Sequence, residues 1–553
     1  MLDLLTLFEW VVSISCVLIA SLIAIDKLVI DGKRDLHPIA LSQQSNVAGV
    51  RRKNETAVYR NFTVPPGFPL TTGLALSLGY RIRNGNFGDI WEGIMSKSVG
   101  RGIEIENTSV SLSRINGLAK CVSGRLLKYM PNDGRVGIAV PLWTLPGLSV
   151  SLAALMSSLE GVVPCFLPAV PRTNLKLNVL VIDSWDTLMM MRDSHEWYQW
   201  IIVCDEKHRP PNFSIENVVM WSALTSDAVD DDHFSYAPPS DNSDDTKVLA
   251  MVTSPWNHTN SFTQGALVSS VAAYVKSFPL GQELTEEDHL ALAFDRDTEK
   301  SYYFQSWTKL LSVLLYGGSV SLFGPDQEFF NPKITLLQLD AQNPGLEALL
   351  QKPLSVLQKL KLSWASTLFS NGIFTKISKF DSKVRKLRCV YIANHARSLQ
   401  YVDELSEQIP CLRKRSENRL SSSQQNLLRG LLGSRLIPEL YSPYLVMGPV
   451  ASANFYDYRV FPEATDIKFA FYGPITTSIE AKLVETKENP DLSVESRQGM
   501  LCIRGFTIGK PVENDRLEKA AKIVQRFDGG GGWMPLLGEF CLWGSDGCLY
   551  EYK

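Results

Sequence analysis

The sequence predicts an α/β protein that is preceded by one transmembrane helix and followed by a smaller β-rich part. From about residue 105, short apolar runs alternate with segments whose apolar residues recur every three or four positions. After about residue 434, short strands separated by Pro and Gly dominate. Repeated strand–helix units with continuous apolar strands are typical of parallel sheets covered on both faces.

The predicted transmembrane helix is the segment Leu4–Ile25, in which Glu9 is the charged residue. As a helix it would be about 33 Å long, which is enough to cross a bilayer core. Lys27, Lys33 and Arg34 follow it, so the positive-inside rule places the bulk of the chain in the cytosol. We expect a single-pass protein of the endoplasmic reticulum membrane. A buried N-terminal helix is the alternative.

The pattern divides the chain into four parts. Residues 1–30 are the predicted membrane anchor, 31–104 an extended arm, 105–433 the α/β subdomains and 434–553 a β-rich subdomain. A net charge of −3 without a dense basic run gives no reason to expect a nucleic-acid partner. The nine cysteines are dispersed and form no CxxC pair, which is typical of reduced core thiols.

Individual elements follow from local spacing. Helices are predicted where apolar residues recur at helical spacing, and strands where β-branched or continuous apolar runs occur. In chain order these are helix Val110–Leu127, strand Val136–Val140, helix Leu145–Leu159, strands Val162–Phe166, Leu177–Ile182, Ile201–Val203 and Val248–Val252, helix 262–274, strand His289–Phe294, helix Tyr302–Tyr316, strands Ser319–Phe323, Leu362–Leu368 and Val390–Ala393, a mostly helical Leu399–Leu432, strands Ile467–Tyr472, Ile479–Val484 and Met500–Ile503, and helix Asn514–Phe527.

The stretch 247–274 is the centre of the functional hypothesis. Strand Val248–Val252 is followed by a polar turn, Thr253–Asn260, and then by the helical segment 262–274. Strand, polar loop and helix in this order present backbone N–H groups and a helix N-terminus to a phosphate group.

Several C-terminal motifs carry a family resemblance. Strand Ile479–Val484 places Glu480 and Lys482 in an E-x-K-L-V pattern, and Gly499–Gly505 reads GMLCIRG. Gly532-Trp533 and the later Asp546-Gly547 add to it. With these motifs the chain resembles the adenylate-forming superfamily, and within it the eukaryotic long-chain acyl-CoA synthetases.

The resemblance implies the N-terminal synthetase domain of that family, with two αβ-layered sheets and a small β-barrel-like subdomain. Enzymes of the family join a fatty acid to ATP as an acyl-adenylate and then pass the acyl group to coenzyme A. They need a Gly- and Ser/Thr-rich phosphate loop with a lysine, a Tyr-Gly-x-Thr-Glu adenine and magnesium motif, a Thr-Gly-Asp ribose motif, and a C-terminal domain with a catalytic lysine.

The phosphate loop of this chain departs from the family pattern. Thr253 and Ser254 match its opening and Thr259 is a further hydroxyl, but no glycine follows before Gly265 and the lysine is missing. Pro255 has no N–H to donate. Trp256 would fill the cradle, and His258 is either a poor substitute for the lysine or an ordinary histidine.

At the adenine motif and at the ribose motif of the family, this chain keeps one functional side chain each. Tyr441 could stack on a base or be core packing, but Tyr444-Leu445 replaces the Thr-Glu pair that would position magnesium. Glu539 keeps a carboxylate where the ribose motif has Asp, or else is a solvated turn residue. The upstream glycines of the family are lost at Asn394–Leu399.

We expect the C-terminal domain that carries the catalytic lysine to be absent, because the chain ends at Lys553, shortly after Asp546-Gly547. We therefore predict no catalytic residue, no metal site and no cofactor, with Thr253, Ser254, Thr259, Tyr441 and Glu539 as degenerate nucleotide positions. Loss of one preorganised charge-stabilising group commonly costs about 100- to 1000-fold in rate.

The predicted function is a membrane-anchored, non-catalytic scaffold or sensor in lipid metabolism, with an unknown protein partner and a fatty acyl chain as the candidate ligand. One alternative is an active long-chain acyl-CoA synthetase that uses ATP, magnesium and coenzyme A and is completed by a partner subunit. The other is a regulatory module that binds ATP or AMP.

Overall fold

The structure of the protein is a computed structural model. It describes residues 4–24, 31–78, 80–205, 207, 209, 215–255, 257–295, 303–325, 327–396, 419–460, 469–486, 491–518 and 532–552. The predicted helical residues 399–418 and 519–527, and the flanking Lys27, lie outside these ranges.

The helices reproduce most of the predicted segments. They are α1 (Leu4–Ala24), α2 (Phe87–Met95), α3 (Leu112–Tyr129), α4 (Leu145–Ser157), α5 (Trp185–Met190), α6 (Trp221–Leu224), α7 (Gln264–Lys276), α8 (Tyr303–Leu315), α9 (Pro344–Gln351), α10 (Val356–Ser370) and α11 (Ser422–Leu432). Within the described ranges, no helix combines the length and the apolarity needed to cross a bilayer. The predicted transmembrane helix is therefore not found.

Two eight-stranded sheets, parallel in their centres, confirm the predicted α/β class. In spatial order sheet I is β6 (Thr108–Ser111), β5 (Gly102–Ile105), β15 (Ser319–Phe323), β14 (His289–Ala293), β16 (Leu336–Asp340), β17 (Cys389–His395), β18 (Arg435–Tyr441) and β19 (Pro449–Ser452). Sheet II is β11 (Val218–Met220), β10 (Trp200–Val203), β9 (Val179–Ile182), β7 (Arg135–Ala139), β8 (Val163–Phe166), β12 (Val248–Thr253), β13 (Thr259–Thr263) and β23 (Lys510–Pro511).

A third, antiparallel sheet combines the two ends of the chain. Sheet III runs β1 (Ser45–Val47), β2 (Tyr59–Asn61), β21 (Ile479–Val484), β22 (Gln498–Gly505), β24 (Met534–Trp543), β25 (Leu549–Tyr552) and β20 (Phe469–Gly473). A separate hairpin pairs β3 (Leu76–Leu78) with β4 (Arg81–Arg83). Sheet III contains the short C-terminal strands predicted from the sequence, and the arm supplies its β1 edge.

Helices α7 and α8 lie in the main core, and most of their side chains are buried, including polar ones such as Ser269 and Lys309. Sheets I and II also use strands from outside the predicted 105–433 segment, namely β18, β19, β23 and most of β5. The predicted domain boundaries stay a prediction, although sheet I continues across residue 433.

The predicted strand Leu362–Leu368 is wrong, because these residues lie in α10. Ser355 begins this helix with a capping box in which its hydroxyl accepts from the N–H of Gln358. The residues buried along it include Ala365 and Phe369, four positions apart as on one helix face. A continuous apolar run cannot by itself distinguish a strand from a helix.

Candidate functional site

The segment predicted to bind phosphate is the turn of a β-hairpin. β12 and β13 pair antiparallel, with Val248 opposite Thr263 and Thr253 opposite Thr259. α7 begins only after Thr263, whose hydroxyl accepts from the N–H of Ala266. The predicted strand–loop–helix order is therefore wrong: a second strand, rich in β-branched residues, separates the turn from the helix N-terminus by about 16 Å of chain.

Thr253, Ser254 and Thr259 lie together at this turn, and their hydroxyls contact groups of the same chain. Thr253 Oγ1 lies 3.0 Å from Thr259 Oγ1 and 3.3 Å from Cys165 Sγ. Ser254 Oγ accepts from the N–H of His258 at 3.3 Å. Burial raises the pKa of the Cys165 thiol to about 11, so it stays neutral. All three predicted side chains are buried.

A segment that follows β23 covers the open edge of the hairpin. The N–H of Thr259 donates to Glu513 Oε1 at 2.7 Å, and the N–H of Val512 donates to the Thr259 carbonyl at 3.0 Å. Arg516 Nη1 donates to Glu513 Oε2 at 2.7 Å. A carboxylate of the chain thus binds the backbone N–H group in the way that a phosphate oxygen would.

The rest of the turn also bonds within the chain. Asn257 adopts a left-handed conformation with φ 62, which Asn tolerates, and its Nδ2 donates to Thr173 Oγ1 at 3.2 Å. Pro255 is exposed. Trp256, predicted to fill the cradle, lies outside the described residues.

Tyr441 ends β18 inside a buried ionic cluster. Its hydroxyl donates to Glu439 Oε2 at 2.9 Å and accepts from Lys309 Nζ at 3.0 Å. Lys309 Nζ also donates to Glu439 Oε2 at 2.5 Å and lies 4.1 Å from the ring centroid of Tyr391. Burial lowers the pKa of Lys309 and raises that of Tyr441 well above its usual range. The phenol is thus already bonded, and its stacking on a base stays a prediction.

A small cavity lies beside Tyr441 at the carboxyl ends of β14, β16, β17 and β18. Its volume is about 30 Å³, and its polar lining includes Tyr303, Gln305, Asp340 and His395. His395 Nε2 lies 2.6 Å from Asp340 Oδ1. Ligands of open α/β sheets bind at this edge. A cavity of this size holds only one or two water molecules.

Glu539 lies in β24 and is 0% exposed, so the solvated-turn alternative is wrong. Arg419 Nη1 and Nη2 bind its two oxygens at 3.0 and 3.1 Å, the bidentate geometry that gives the strongest pairs. Arg419 also donates to the Tyr472 hydroxyl at 2.9 Å and contacts Glu551. Burial lowers the pKa of Arg419, but Glu539 and Tyr472 outweigh this and raise it.

Comparison with known proteins gives one close relative in sequence and many in structure. No family model matches the chain. The chain is 46% identical over 559 aligned residues, covering 99% of each protein, to the uncharacterized protein YHR045W of Saccharomyces cerevisiae. The chain belongs to the family of this yeast protein.

Among solved structures, the anthranilate CoA ligase AuaEII in complex with anthranoyl-AMP has a TM-score of 0.56 at 13% identity, covering 84% of this chain and 76% of the ligase. The luciferase-like enzyme of the mealworm Zophobas morio has a TM-score of 0.55 at 14% identity, and the match covers 87% of this chain and 98% of the enzyme. ATP-bound MatB of Rhodopseudomonas palustris has a TM-score of 0.53 at 12% identity, and the match covers 84% of this chain and 78% of MatB. The chain has the adenylate-forming fold.

The two residues that replace the Thr-Glu pair expected to position magnesium bond to the chain itself through their backbone groups. The carbonyl of Tyr444 accepts from Asn260 Nδ2 at 2.5 Å, and the N–H of Leu445 donates to the Ser442 carbonyl at 2.9 Å. In the part of the chain that the structure describes, no group of three or more His, Cys, Asp or Glu could hold a metal ion.

The sequence did not indicate Lys309, Arg419 and Glu513, which bind the predicted site residues. A signal existed for Lys309, since a lysine among the apolar residues of a core helix needs a buried anion. Arg419 and Glu513 carry no comparable local pattern, because their partners are distant in sequence.

Proposed function

We propose that this protein is a non-catalytic relative of the acyl-CoA ligases, one in which its own side chains close the nucleotide site, and that it acts as a scaffold or sensor in lipid metabolism. The observation that carries the proposal is the buried, bidentate pair that Arg419 forms with Glu539, the residue predicted at the ribose motif. A ribose that used Glu539 would have to displace Arg419 from a fully desolvated carboxylate.

The energy of that displacement disfavours nucleotide binding. Breaking a buried ion pair by removing one partner costs about 3–5 kcal/mol. That is at least about a hundredfold in affinity. The Glu513 carboxylate on the Thr259 N–H adds repulsion for a phosphate at the hairpin turn.

Calorimetry on the full chain tests the proposal. We expect no heat of binding with millimolar ATP and magnesium or with AMP, and no thioester from a long-chain fatty acid, ATP and coenzyme A. Glu539→Gln and the exposed Glu216→Gln are the matched variants. The proposal would be overturned if the natural protein formed the thioester, and if Glu539→Gln abolished this activity while Glu216→Gln preserved it.

A second candidate is an active synthetase that a partner subunit completes. It is favoured by the position of the small cavity lined by Asp340, His395 and Tyr441, since it lies at the strand ends where ligands of open α/β sheets bind. ATP, magnesium and coenzyme A would then be its cofactors. Purification from the native source should yield a stoichiometric partner that restores thioester formation, and the candidate fails if the chain purifies alone and inactive.

The location and the partners are also proposals. The exposed apolar side chains of α1, among them Phe8, Trp10 and Ile14, support attachment to the cytosolic side of the endoplasmic reticulum membrane or to a protein partner there. Alkaline extraction of membranes distinguishes attachment to the lipid from attachment to a protein partner, since it releases proteins that are held only by other proteins. A bound fatty acyl chain would be detected by mass spectrometry of the purified protein.

A further inference from the structure

Helix α10 carries apolar residues on two opposite faces. Ala365 and Phe369 are buried and hold the helix on the protein. On the other side Leu357, Leu360 and Trp364 are each 63% exposed. Their spacing of three and four residues places them on one face of the helix, so they form a continuous outward stripe. We name these three residues the α10 stripe.

Positive charge accompanies the α10 stripe. Lys361 is exposed and lies four residues after Leu357 and three before Trp364, so it borders the stripe. Lys359 is also exposed, and the sequence of α10 contains no Asp or Glu. A helix with apolar residues, a tryptophan and lysines on its outer side is typical of elements that lie in the interface of an anionic membrane.

The segment that follows α1 is attached at the C-terminal end of α10. Arg34 Nε donates to the Asn371 carbonyl at 2.9 Å, and the N–H of Asp35 donates to the Gly372 carbonyl at 3.0 Å. Gly372 is left-handed at φ +76, and a Cβ there would lie 2.1 Å from the carbonyl oxygen of Leu36. The chain that leaves α1 is therefore fixed at the end of α10.

This attachment limits how far α1 can lie from the α10 stripe. The chain between Ala24 and Arg34 can span at most about 35 Å. α1 itself exposes apolar side chains such as Phe8 and Val17. Two exposed apolar elements are thus connected through the end of α10 by a segment of limited length.

We propose that the α10 stripe docks on an anionic lipid surface, with Leu357, Leu360 and Trp364 in the interface and Lys361 at the headgroups. The flanking lysines favour lipid of negative charge over a neutral apolar protein surface. The adjoining α1 supplies a second apolar contact with the same surface. The proposal concerns α10 and holds whether or not the protein binds nucleotides.

An environment-sensitive fluorophore tests it on the full chain. The probe is attached by maleimide at Trp364→Cys in a chain that also carries Cys16→Ser and Cys411→Ser. The control position is Leu280→Cys, since Leu280 is 94% exposed outside α10. Vesicles contain phosphatidylcholine alone or an equal mixture with phosphatidylserine.

We expect a blue shift at position 364 with the anionic vesicles, weakened by salt, and none at position 280. Three results would overturn the proposal. No shift with either vesicle means that lipid is not the occupant. A shift that grows with protein concentration without vesicles identifies a second copy of the chain. A shift that needs microsomes with intact proteins identifies a protein partner.

Vesicle co-sedimentation gives a second readout on the same chain. Leu360→Glu should lower binding to anionic vesicles about tenfold, because it replaces an exposed apolar side chain, which the lipid would cover, with a charge that the lipid repels. Leu280→Glu introduces the same charge elsewhere and should leave binding unchanged. Equal binding of the two variants would contradict docking through α10.

Discussion

At the scale of single residues, Lys309, Glu439 and Tyr441 place two opposite charges and a phenol almost entirely out of water. Such a pair contributes little net stability when intact, because desolvation offsets most of the attraction. It also determines which side chains can occupy the site, since a carboxylate at position 439 is tolerated only with its cation. The cluster therefore joins α8 to β18.

Replacing Lys309 by Met should lower the free energy of unfolding by about 3–5 kcal/mol, because Glu439 then remains a buried carboxylate without a cation. Urea unfolding measures the change. Lys309→Met with Glu439→Gln should recover most of the loss. Lys128→Met, at an exposed position, should change the free energy by less than about 0.5 kcal/mol. If Lys309→Met lowers the free energy of unfolding no more than Lys128→Met does, the buried ion pair between Lys309 and Glu439 is not present.

His289 predicts a dependence of stability on pH. Its ring nitrogens lie 2.6 Å from Ser319 Oγ and 2.6 Å from Ser321 Oγ. Burial lowers its pKa, Glu104 partly opposes this, and Lys333 adds to it. Below about pH 6.5 the unfolded state takes up a proton that the native state does not. The contribution of His289 to stability is thus complete above pH 6.5 and falls as the pH drops through the lowered pKa.

Denaturant unfolding between about pH 5 and pH 7.5 measures this dependence. His289→Asn removes the titrating ring and should flatten the fall in stability toward acid. His233→Gln, at an exposed position, should leave the profile of the natural protein unchanged. Identical profiles for the natural protein and His289→Asn would show that another group is responsible.

At the scale of elements, the capping box at the N-terminus of α10 should stabilise that helix. Ser355→Ala removes the hydroxyl that accepts from the N–H of Gln358 and should cost about 1 kcal/mol in the free energy of unfolding. Ser363→Ala, in the exposed middle of the same helix, should be neutral or slightly stabilising. If the two variants unfold at the same denaturant concentration, the capping box does not contribute.

Elements were predicted correctly where one local pattern dominated. Strand Ser319–Phe323 and strand Ile479–Val484 have the predicted bounds. Strands β18 and β24 were missed because Pro438 lies in the first and Pro535 and Gly538 in the second, and Pro and Gly indicate turns in sequence. Both strands form regardless, since pairing with neighbouring strands outweighs a local preference.

At the scale of the whole molecule, the N-terminal arm completes the C-terminal sheet. β2 pairs with β21. Tyr59 stacks on Trp543 with ring centroids 4.1 Å apart, and Lys482 forms a buried ion pair with Glu55. The arm therefore contributes to the core of sheet III, although nearly the whole sequence separates it from the strands that it covers.

A chain that begins at residue 62 should be less stable than one that begins at residue 31. It lacks β1 and β2, exposes Trp543 and leaves Lys482 buried without Glu55, at a cost of about 3–5 kcal/mol for the lost ion-pair partner. Thermal unfolding of both chains measures the difference. Equal melting temperatures would contradict the contribution of the arm to the core.

The local sequence determined the α/β alternation, the short C-terminal strands, and a 253–260 turn without glycine or lysine. These follow from spacing and residue type, which act over a few neighbouring positions. Only the tertiary structure decided that Arg419 binds Glu539, that Glu513 binds the Thr259 N–H and that the 31–104 segment supplies strands of sheet III. The physical reason is that a buried charge or an open strand edge requires a partner without specifying where along the chain that partner lies.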